Sequence, residues 1–334
     1  MVLLLDDADV AAVLDVESLL APVADALVRQ AAGEVERPER PHFAVGAGLD
    51  GDEPRGTALT MPAYVRGEEH YVTKLASVHG DNPERGLPAV QAQIALTEAR
   101  TGRPAAYMAG TRITNARTGC IGGLAVRALA TEPVRLAVIG AGAQARWQTR
   151  AIAAAATVDE ARVYSPSESK AACAADLREE AIPATAADSA ADAVRGATVV
   201  VTATTASEPV FSPDALTDAE LVVAVGAYDA DTRELAAAVL DDAATVFADV
   251  PAEAAETGDV LPTALEADDL VPLAAALTGD AERDSGDFAV VESVGSAVLD
   301  LAAATAVYER ARADGVGREL SMSGGPDDGS GDGE

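Results

Sequence analysis

The chain has 334 residues, enough for two domains that each bury a core of their own. Asp and Glu number 55 against 24 Lys and Arg, and the net charge of −31 argues against nucleic acid as a partner. Hydrophobic residues make up 49% of the chain but form no run long enough for a membrane span, so we predict a folded protein without a membrane partner.

The N-terminal part of the chain is predicted to form an α+β domain. A strand is expected at residues 2–5, followed by an amphipathic helix over residues 15–33 that begins after the N-cap Asp15 and stops at Gly33. Further strands are predicted at residues 57–65, at residues 70–78 and, as a hairpin, over residues 89–110.

After about residue 131, strands and helices begin to alternate. An apolar strand over residues 134–139 runs into a glycine turn and a helix over 143–156, and an alanine-rich helix is predicted over 293–313. Further strands are predicted at residues 161–164, 198–202, 221–225 and 245–248. This pattern indicates an α/β fold with a Rossmann-type, doubly wound parallel sheet. The Gly-, Asp- and Ser-rich tail, residues 321–334, is expected to be disordered.

The strongest local motif is a G-x-G-x-x-A sequence between the strand over 134–139 and the helix that follows. Gly140 permits a tight turn, Gly142 lets the backbone approach a pyrophosphate, and the small Ala145 lets the helix pack against the sheet. Backbone N–H groups at the start of the helix then hold the diphosphate. We therefore predict NAD or NADP as the cofactor, with an ordinary strand-to-helix turn as the alternative.

Other strand ends complete the predicted cofactor site. The strand after the glycine turn ends in Ser165, Pro166 and Ser167, without the Asp or Glu that usually binds the ribose, so the choice between NAD and NADP stays open. The two strands after it end in Thr202, Ala203 and Thr204 and in Val225, Gly226 and Ala227. These two ends mark the predicted position of the nicotinamide.

Several different short motifs follow one another along the chain in a characteristic order. They are Met61-Pro62-Ala63-Tyr64, Lys74-Leu75-Ala76-Ser77, Gly86-Leu87-Pro88, Leu96-Thr97-Glu98-Ala99-Arg100-Thr101-Gly102, Arg117-Thr118-Gly119, the glycine turn, Arg233-Glu234-Leu235 and Ser293-Val294-Gly295. In this order and spacing, over roughly residues 1–320, the chain resembles the ornithine cyclodeaminase and mu-crystallin family, which includes archaeal alanine dehydrogenases and ketimine reductases.

The resemblance implies a homodimer with two domains in each subunit. The N-terminal domain, residues 1–125 with a returning helix near residues 300–320, would supply the substrate pocket and the dimer interface. The Rossmann domain, residues 126–299, would present the cofactor, and residues 321–334 would form an acidic tail.

The resemblance also assigns roles to individual residues. Lys74 would meet the substrate carboxylate and exchange a proton with the substrate; a surface lysine is the alternative, but Lys74 and Lys170 are the only lysines in the chain. Arg117 would clamp a carboxylate or a cofactor phosphate with its planar fork, and Arg40 is a second candidate for the carboxylate. Further cofactor contacts are expected at Arg117, Thr118, Ala143, Gln144, Ala145, Arg233 and Ser293.

One position departs from the family pattern. Ornithine cyclodeaminases have an aspartate, shortly after the strand that corresponds to residues 221–225 here, that engages the substrate amine. In this chain Tyr228 stands in that place, with Asp229 next to it. We therefore predict an NAD(P)-dependent oxidoreductase acting on a small 2-amino acid or its imine, as an alanine dehydrogenase or a cyclic ketimine reductase does. The alternatives are an ornithine cyclodeaminase, which forms proline and ammonia, and a non-catalytic, crystallin-like protein that binds the cofactor.

Composition bears on the compartment and on metals. The acidic excess is typical of a salt-rich cytosol, where salt screens repulsion between surface charges, and the N-terminus lacks the basic region of a signal peptide, so we predict a cytoplasmic protein of a salt-loving organism. An acidic protein from a low-salt cell is the alternative. Neither the two cysteines, Cys120 and Cys173, nor the three histidines, His42, His70 and His79, have metal-ligand spacing, and we predict no metal site.

Overall fold

The computed structural model describes residues 1–49 and 51–321, which form two compact units. The first unit contains Met1–Leu14, Glu36–Ile113 and the C-terminal segment from Ala304, and the second contains Asp15–Val35 and Thr114–Ala303. The predicted disordered tail, from residue 322 onward, lies outside the described residues. No helix in the described ranges is both long and apolar enough to cross a membrane.

The elements up to residue 129 are β1 (Val2–Leu5), α1 (Asp7–Val13), α2 (Val16–Ala31), β2 (Val35–Glu36), β3 (His42–Val45), β4 (Gly56–Val65), β5 (His70–Val78), a 3-10 helix (Asn82–Arg85), β6 (Val90–Glu98), β7 (Pro104–Ala109) and α3 (Gly110–Leu129). The elements from residue 134 to 202 are β8 (Val134–Ile139), α4 (Ala143–Ala155), β9 (Val158–Tyr164), α5 (Ser169–Glu179), β10 (Ala184–Ala186), α6 (Ala190–Val194) and β11 (Val199–Thr202).

The remaining elements are a 3-10 helix (Pro213–Ala215), β12 (Leu221–Ala224), α7 (Ala237–Asp241), β13 (Thr245–Ala248), α8 (Pro251–Ala254), a 3-10 helix (Ala267–Asp269), β14 (Val271–Pro272), α9 (Leu273–Thr278), β15 (Ala289–Glu292), α10 (Ala297–Asp314) and β16 (Arg318–Leu320).

The first unit is built on a mixed sheet with the strand order β16-β1-β7-β6-β5-β4-β2, in which β3 also pairs with β4. Side chains alternate between its two faces, as strand geometry requires. In β5, Val72 and Lys74 are buried, whereas Tyr71 and Leu75 on the other face are 36% and 51% exposed. One face of this sheet therefore belongs to a core, and the other carries exposed apolar side chains.

The second unit is built on a wholly parallel sheet with the strand order β10-β9-β8-β11-β12-β15-β13-β14. Its central strands are runs of buried Val, Leu, Ile and Ala, as expected for strands covered on both faces. The predicted fold class, a Rossmann-type parallel sheet together with an α+β unit, is confirmed.

Most predicted elements are confirmed within a few residues, and the strands over residues 2–5, 70–78, 134–139 and 245–248 match fully. The prediction of a helix from residue 293 is wrong: α10 begins at Ala297, because Ser293 lies in a loop and Gly295 adopts a φ of 78°. The strand β15 is absent from the sequence prediction, although it pairs with β12 and β13 in the centre of the sheet.

The helix α2 belongs to the second unit, whereas the predicted first domain included it. It packs against α4 and α9, both of which lie in the second unit. Its N-cap is the predicted one, since the Asp15 carboxylate accepts from the backbone N–H of Ser18 at 3.1 Å.

Candidate cofactor and substrate sites

The strand order of the parallel sheet creates a crevice at its carboxyl edge. From β8 the chain proceeds to β9 and β10 on one side and returns to β11 on the other side, which is the topological switch point where α/β sheets bind ligands. In register, Ile139 lies beside Tyr164 and Thr202, and Thr202 lies beside Ala224. The loops that begin at Gly140, Ser165, Ala203 and Val225 therefore share this edge.

The glycine turn has the geometry that the motif predicts. Gly140 has a φ of 117°, and a Cβ atom on it would lie 2.4 Å from the carbonyl oxygen of Ala203. Gly142 is the N-cap of α4 without a side-chain cap, and a Cβ atom there would meet no atom within 4 Å. The N–H groups of Ala143 and Gln144 thus begin a helix that is open at its N-terminus, while Ala145 is fully buried. These residues fit a dinucleotide diphosphate.

Two other predicted cofactor contacts are Gln144, in the first turn of α4, and Thr118, within α3. Gln144 donates from Nε2 to Oδ1 of Asn115 at 2.9 Å, and its buried Oε1 has no partner within the described ranges. Thr118 donates from Oγ1 to the carbonyl oxygen of Thr114 at 2.9 Å. The side chain of Gln144 therefore links the start of α4 to α3.

A group of serine hydroxyls follows β9, where the ribose is expected. The Oγ of Ser167 lies 3.2 Å from that of Ser165 and 2.6 Å from that of Ser169, and Pro166 between them is exposed. The Nζ of Lys170 lies 5.2 Å from the centre of the Tyr164 ring. The end of β9 is thus followed by serine hydroxyls, with the carboxylate of Glu168 and the ammonium group of Lys170 only at the start of α5.

The loops after β11 and β12 are joined by a buried carboxylate, that of Glu234. It accepts from Oγ1 of Thr202 at 2.8 Å, from N–H of Thr204 at 2.6 Å and from N–H of Gly226 at 2.8 Å. Complete burial raises the pKa of Glu234 to about 7, and these hydrogen bonds oppose the rise.

A second buried carboxylate, that of Asp249, holds the loop after β15. It accepts from Oγ of Ser293 at 2.8 Å and from the N–H groups of Val294 and Gly295 at 3.0 and 2.9 Å. Burial raises the pKa of Asp249, while these bonds and the charge of Arg117 lower it. The hydroxyl of Ser293, a predicted cofactor contact, therefore already donates to Asp249.

Arg117 is 5% exposed and forms a buried ion pair in the second unit. Its Nε donates to Oδ1 of Asp300 at 3.0 Å, and a Cβ atom on Gly295 would lie 2.6 Å from its Nη1. The pair fixes the guanidinium beside the loop that Asp249 holds. Arg117 remains a predicted carboxylate or phosphate clamp.

Glu292 is the most unusual acid of the second unit. It ends β15 between Ala224 and Ala248, is fully buried, and neither of its carboxyl oxygens has a hydrogen-bond partner within the described ranges. Its pKa lies well above the usual value, first because of burial and then because of the charges of Asp259, Glu234 and Asp249.

Lys74 and Arg40 lie in the first unit. Lys74 is 1% exposed, and in register it lies between Met61 on β4 and Ile94 on β6, two buried apolar residues. Arg40 is half-buried in the extended segment before β3. The burial of Lys74 rules out the alternative of a solvated surface lysine.

The loop after β12 contains Tyr228, the position at which the sequence departs from the pattern of ornithine cyclodeaminases. Tyr228 is 44% exposed, and burial together with the charge of Asp229 raises its pKa. Oδ1 of Asp229 accepts from N–H of Asp231 at 3.2 Å, and from N–H and Oγ1 of Thr232 at 2.9 and 2.8 Å. Asp229 thus closes its own turn, and Arg233 donates from Nε to the carbonyl oxygen of Leu235 at 2.9 Å.

Glu234, Asp249 and Glu292 were not among the predicted site residues, although Glu234 lies in a quoted motif. A signal for them exists, because Asp249 and Glu292 each interrupt the end of an apolar strand. That signal is weak in a chain with 55 acidic residues, because an acidic residue at the end of a strand is then most simply interpreted as an exposed residue.

Comparison with known proteins places these sites in a family. Residues 2–315 match the model of the ornithine cyclodeaminase/mu-crystallin family. The chain is 34% identical over 305 residues to a Δ1-pyrroline-2-carboxylate reductase of Burkholderia multivorans, covering 89% of this chain and 92% of the relative.

Two solved structures resemble the whole chain. The Δ1-pyrroline-2-carboxylate reductase of Thermococcus litoralis, in complex with NADH and L-proline, has a TM-score of 0.89 and 28% identity, covering 95% of this chain and all of that one. An archaeal alanine dehydrogenase dimer with bound NAD has a TM-score of 0.86 and 25% identity, covering 96% and 99%.

Proposed function

The chain belongs to the ornithine cyclodeaminase/mu-crystallin family and is an NAD(P)-dependent oxidoreductase, and we propose that it reduces a small cyclic 2-imino acid of the Δ1-pyrroline-2-carboxylate class to the amino acid. Reduction adds a hydride to the imine carbon and a proton to the ring nitrogen. The similarity to reductases of this class over 89% of the chain supports the assignment.

The loop after β12 is the reason for proposing reduction of an imine rather than cyclisation of ornithine. Tyr228 stands where ornithine cyclodeaminases have the aspartate that engages the substrate amine, and Oδ1 of Asp229 accepts hydrogen bonds from Thr232 and from the backbone of its own turn. These bonds hold Asp229 in its own turn, which favours reduction over a role for Asp229 on an ornithine side-chain amine. A cyclic imine has no second amine and does not need such a carboxylate.

The proposed chemistry assigns a role to each of the predicted residues. Bound reduced nicotinamide supplies the hydride to the imine carbon. Lys74 holds the proton that the ring nitrogen receives, and its burial keeps water from that proton. Arg117, with Arg40 as a further candidate, binds the substrate carboxylate and orients the imine. The glycine turn and the serines after β9 hold the diphosphate and the ribose.

The deciding experiment follows NADH and NADPH oxidation by the purified protein in concentrated KCl. Δ1-pyrroline-2-carboxylate and pyruvate with ammonia serve as parallel substrates. We expect turnover with the cyclic imine; turnover with pyruvate and ammonia alone would assign an alanine dehydrogenase instead. No turnover with either substrate, together with formation of proline and ammonia from ornithine, would contradict the proposal. Cofactor binding without any turnover would favour a crystallin-like binding protein.

We further propose that the protein is a homodimer formed through the exposed face of the first unit's sheet. Leu75 on β5 and Tyr107 on β7 lie on this face, 51% and 41% exposed, and they line a cavity of about 610 Å³. Exposed apolar side chains on one face are typical of a protein interface. Sedimentation in concentrated KCl should give a dimer mass, and Leu75→Glu should give the mass of one subunit.

The acidic composition supports a salt-rich cytosol as the working environment. Each described unit folds around a compact apolar core, so the excess acid is carried mainly on its surface. Concentrated potassium screens such a surface.

A further inference from the structure

We infer that Glu234 is a positioning residue for the nicotinamide end of the cofactor site, which it shapes by fixing the loops after β11 and β12 to each other. The inference rests on the proposed function, because that function takes these two loops as the nicotinamide side of the crevice. Glu234 itself lies beneath the loops, fully buried.

One side chain connects two strand ends. Oε2 of Glu234 accepts from Oγ1 of Thr202 and from N–H of Gly226, both at 2.8 Å, and Oε1 accepts from N–H of Thr204 at 2.6 Å. Thr202 is the last residue of β11, Thr204 lies in the loop after it, and Gly226 follows β12. A buried backbone N–H group that loses its acceptor is costly to leave unpaired, so the relative position of the two loops depends on this carboxyl group.

The loops leave no room for another arrangement. A Cβ atom on Gly226 would lie 2.3 Å from the carbonyl oxygen of Thr204 and 2.6 Å from the carboxyl carbon of Glu234. The carbonyl oxygen of Ala203 would lie 2.4 Å from a Cβ atom on Gly140, in the turn expected to hold the diphosphate. The loop after β11 therefore packs closely against both the loop after β12 and the glycine turn, with no space for a side chain at Gly226 or Gly140.

Glu234 is itself held in place from behind. The N–H groups of Glu234 and Leu235 both donate to Oδ1 of Asp259 at 2.7 Å, and Asp259 is fully buried. The backbone of Glu234 is thus fixed by one carboxylate while its side chain fixes two loops. Hydrogen bonds of this kind, made by residues that do not themselves contact a ligand, keep the ligand-contacting loops in a productive geometry.

Only an acceptor satisfies all three donors. In Glu234→Gln the side chain keeps its size, but its NH₂ group must face the N–H of either Thr204 or Gly226, because each carboxyl oxygen now accepts from one of them. One backbone donor then loses its partner, and its loop must move. The substitution therefore tests position rather than bulk.

The test compares two ligands that share the adenosine half. NADH and ADP-ribose affinities are measured by titration calorimetry on the full chain in concentrated KCl. Glu234→Gln should weaken NADH binding about tenfold and leave ADP-ribose binding within about twofold of the starting protein. A general loss of structure would weaken both ligands together, so this difference is specific to a positioning role.

The matched control is Glu220→Gln, just before β12 and so at the opposite end of that strand from the loop that Glu234 holds. Glu220 accepts from N–H of Thr131 and from Nη2 of Arg283, both at 2.8 Å, so the control also converts a hydrogen-bonded carboxylate to an amide. It should leave both affinities unchanged. If it weakened NADH as much as Glu234→Gln does, the inference would be overturned.

A milder variant covers the case in which Glu234→Gln does not fold. Thr202→Val keeps the shape of Thr202 and removes one donor to Glu234, and it should weaken NADH binding in the same direction by a smaller factor. Unchanged NADH affinity in either folded variant overturns the inference. Because these titrations need no turnover, they assess Glu234 even if the protein fails to reduce a cyclic imine.

Discussion

Lys74 is only 1% exposed, although an ammonium group prefers water. We expect Lys74→Met, which fits the space beside Met61 and Ile94, to lower kcat by about 10²–10⁴-fold, the usual contribution of a positioned acid or base. NADH binding should be unchanged, because the predicted cofactor contacts lie in the other unit. Stopped-flow turnover together with NADH titration checks this.

The control for Lys74 is the other lysine. Lys170→Met should keep kcat at saturating cofactor, since Lys170 lies on the ribose side of the crevice. Full turnover by Lys74→Met with cofactor bound would remove Lys74 from the chemistry.

The serine loop after β9 offers a second test at the level of residues. A carboxylate at the ribose position accepts a hydrogen bond from the 2′-hydroxyl of NADH and repels the 2′-phosphate of NADPH. Ser167→Asp should therefore raise KM for NADPH about tenfold or more relative to KM for NADH. Ser212→Asp adds the same charge at another exposed serine and should leave this ratio unchanged. An unchanged ratio in Ser167→Asp would place the ribose elsewhere.

Glu292 should make stability depend on pH. The folded protein holds the proton of Glu292 more tightly than the unfolded chain does, because its folded pKa lies well above the usual value of 4.5. Unfolding therefore releases this proton, and the free energy of unfolding should fall by about 1.4 kcal/mol per pH unit between the two pKa values. Glu292→Gln removes this slope.

Denaturant unfolding in constant KCl, from about pH 5 to about pH 8, measures the effect. The stability of Glu292→Gln relative to the starting protein should increase with pH. The control Glu208→Gln removes the same charge from an exposed position and should show no such trend. A difference for Glu292→Gln that does not change with pH would contradict the assigned protonation.

The glycine turn and Lys74 could be predicted from sequence because each stands out locally: the glycines lie between an apolar strand and a helix, and the chain has only two lysines. Glu234 and Asp249 could not, because their roles depend on donors 8 to 46 residues away that only the folded chain brings to them. Glu292 could not, because its raised pKa depends on burial and on the nearby charges of Asp259, Glu234 and Asp249. Their burial is a tertiary property, and no local pattern encodes it.

At the scale of elements, the periodicity of apolar residues predicted the longer strands and helices. The strand β15 was missed because its four residues follow an acidic loop, although its hydrogen bonds to β12 and β13 place it in the middle of the sheet. The start of α10 was misplaced because Ser293 and Ala297 look equally helical in sequence. The bonds from the loop to Asp249 decide the difference.

The helix α3 contains glycines whose function is close packing. A Cβ atom on Gly123 would lie 2.6 Å from the carbonyl oxygen of Ala151 on α4 and 3.1 Å from Cδ2 of Leu20 on α2. Replacing glycine by alanine inside a helix normally stabilises it by about 1 kcal/mol. Here we expect Gly123→Ala to destabilise the protein by about 1–3 kcal/mol, because a backbone atom must move. Denaturant unfolding measures the change, and a gain in stability would show that the contact relaxes cheaply.

At the scale of the whole molecule, acidic residues have two opposite roles. Inside the second unit, carboxylates such as those of Glu234 and Asp249 accept backbone hydrogen bonds and stabilise loops. On the surface, acids contribute to a net charge of −31 and repel one another. Salt should therefore weaken the repulsion between surface acids and leave the hydrogen bonds of the buried carboxylates largely unchanged, because buried interactions are screened far less.

We expect the melting temperature to rise steadily with KCl. Between 0.1 M and 1 M the screening length falls from about 10 Å to about 3 Å, which removes most of the repulsion between surface acids. Each kcal/mol of repulsion relieved should raise the melting temperature by about 2–4 °C. A variant with four exposed acids changed to amides, Glu208→Gln, Asp241→Asn, Glu256→Gln and Asp268→Asn, should start from a higher melting temperature at 0.1 M and gain less from added salt. A melting temperature that is flat in KCl for both proteins would contradict a salt-adapted surface, since a chain of this charge would then have to balance its repulsion without screening.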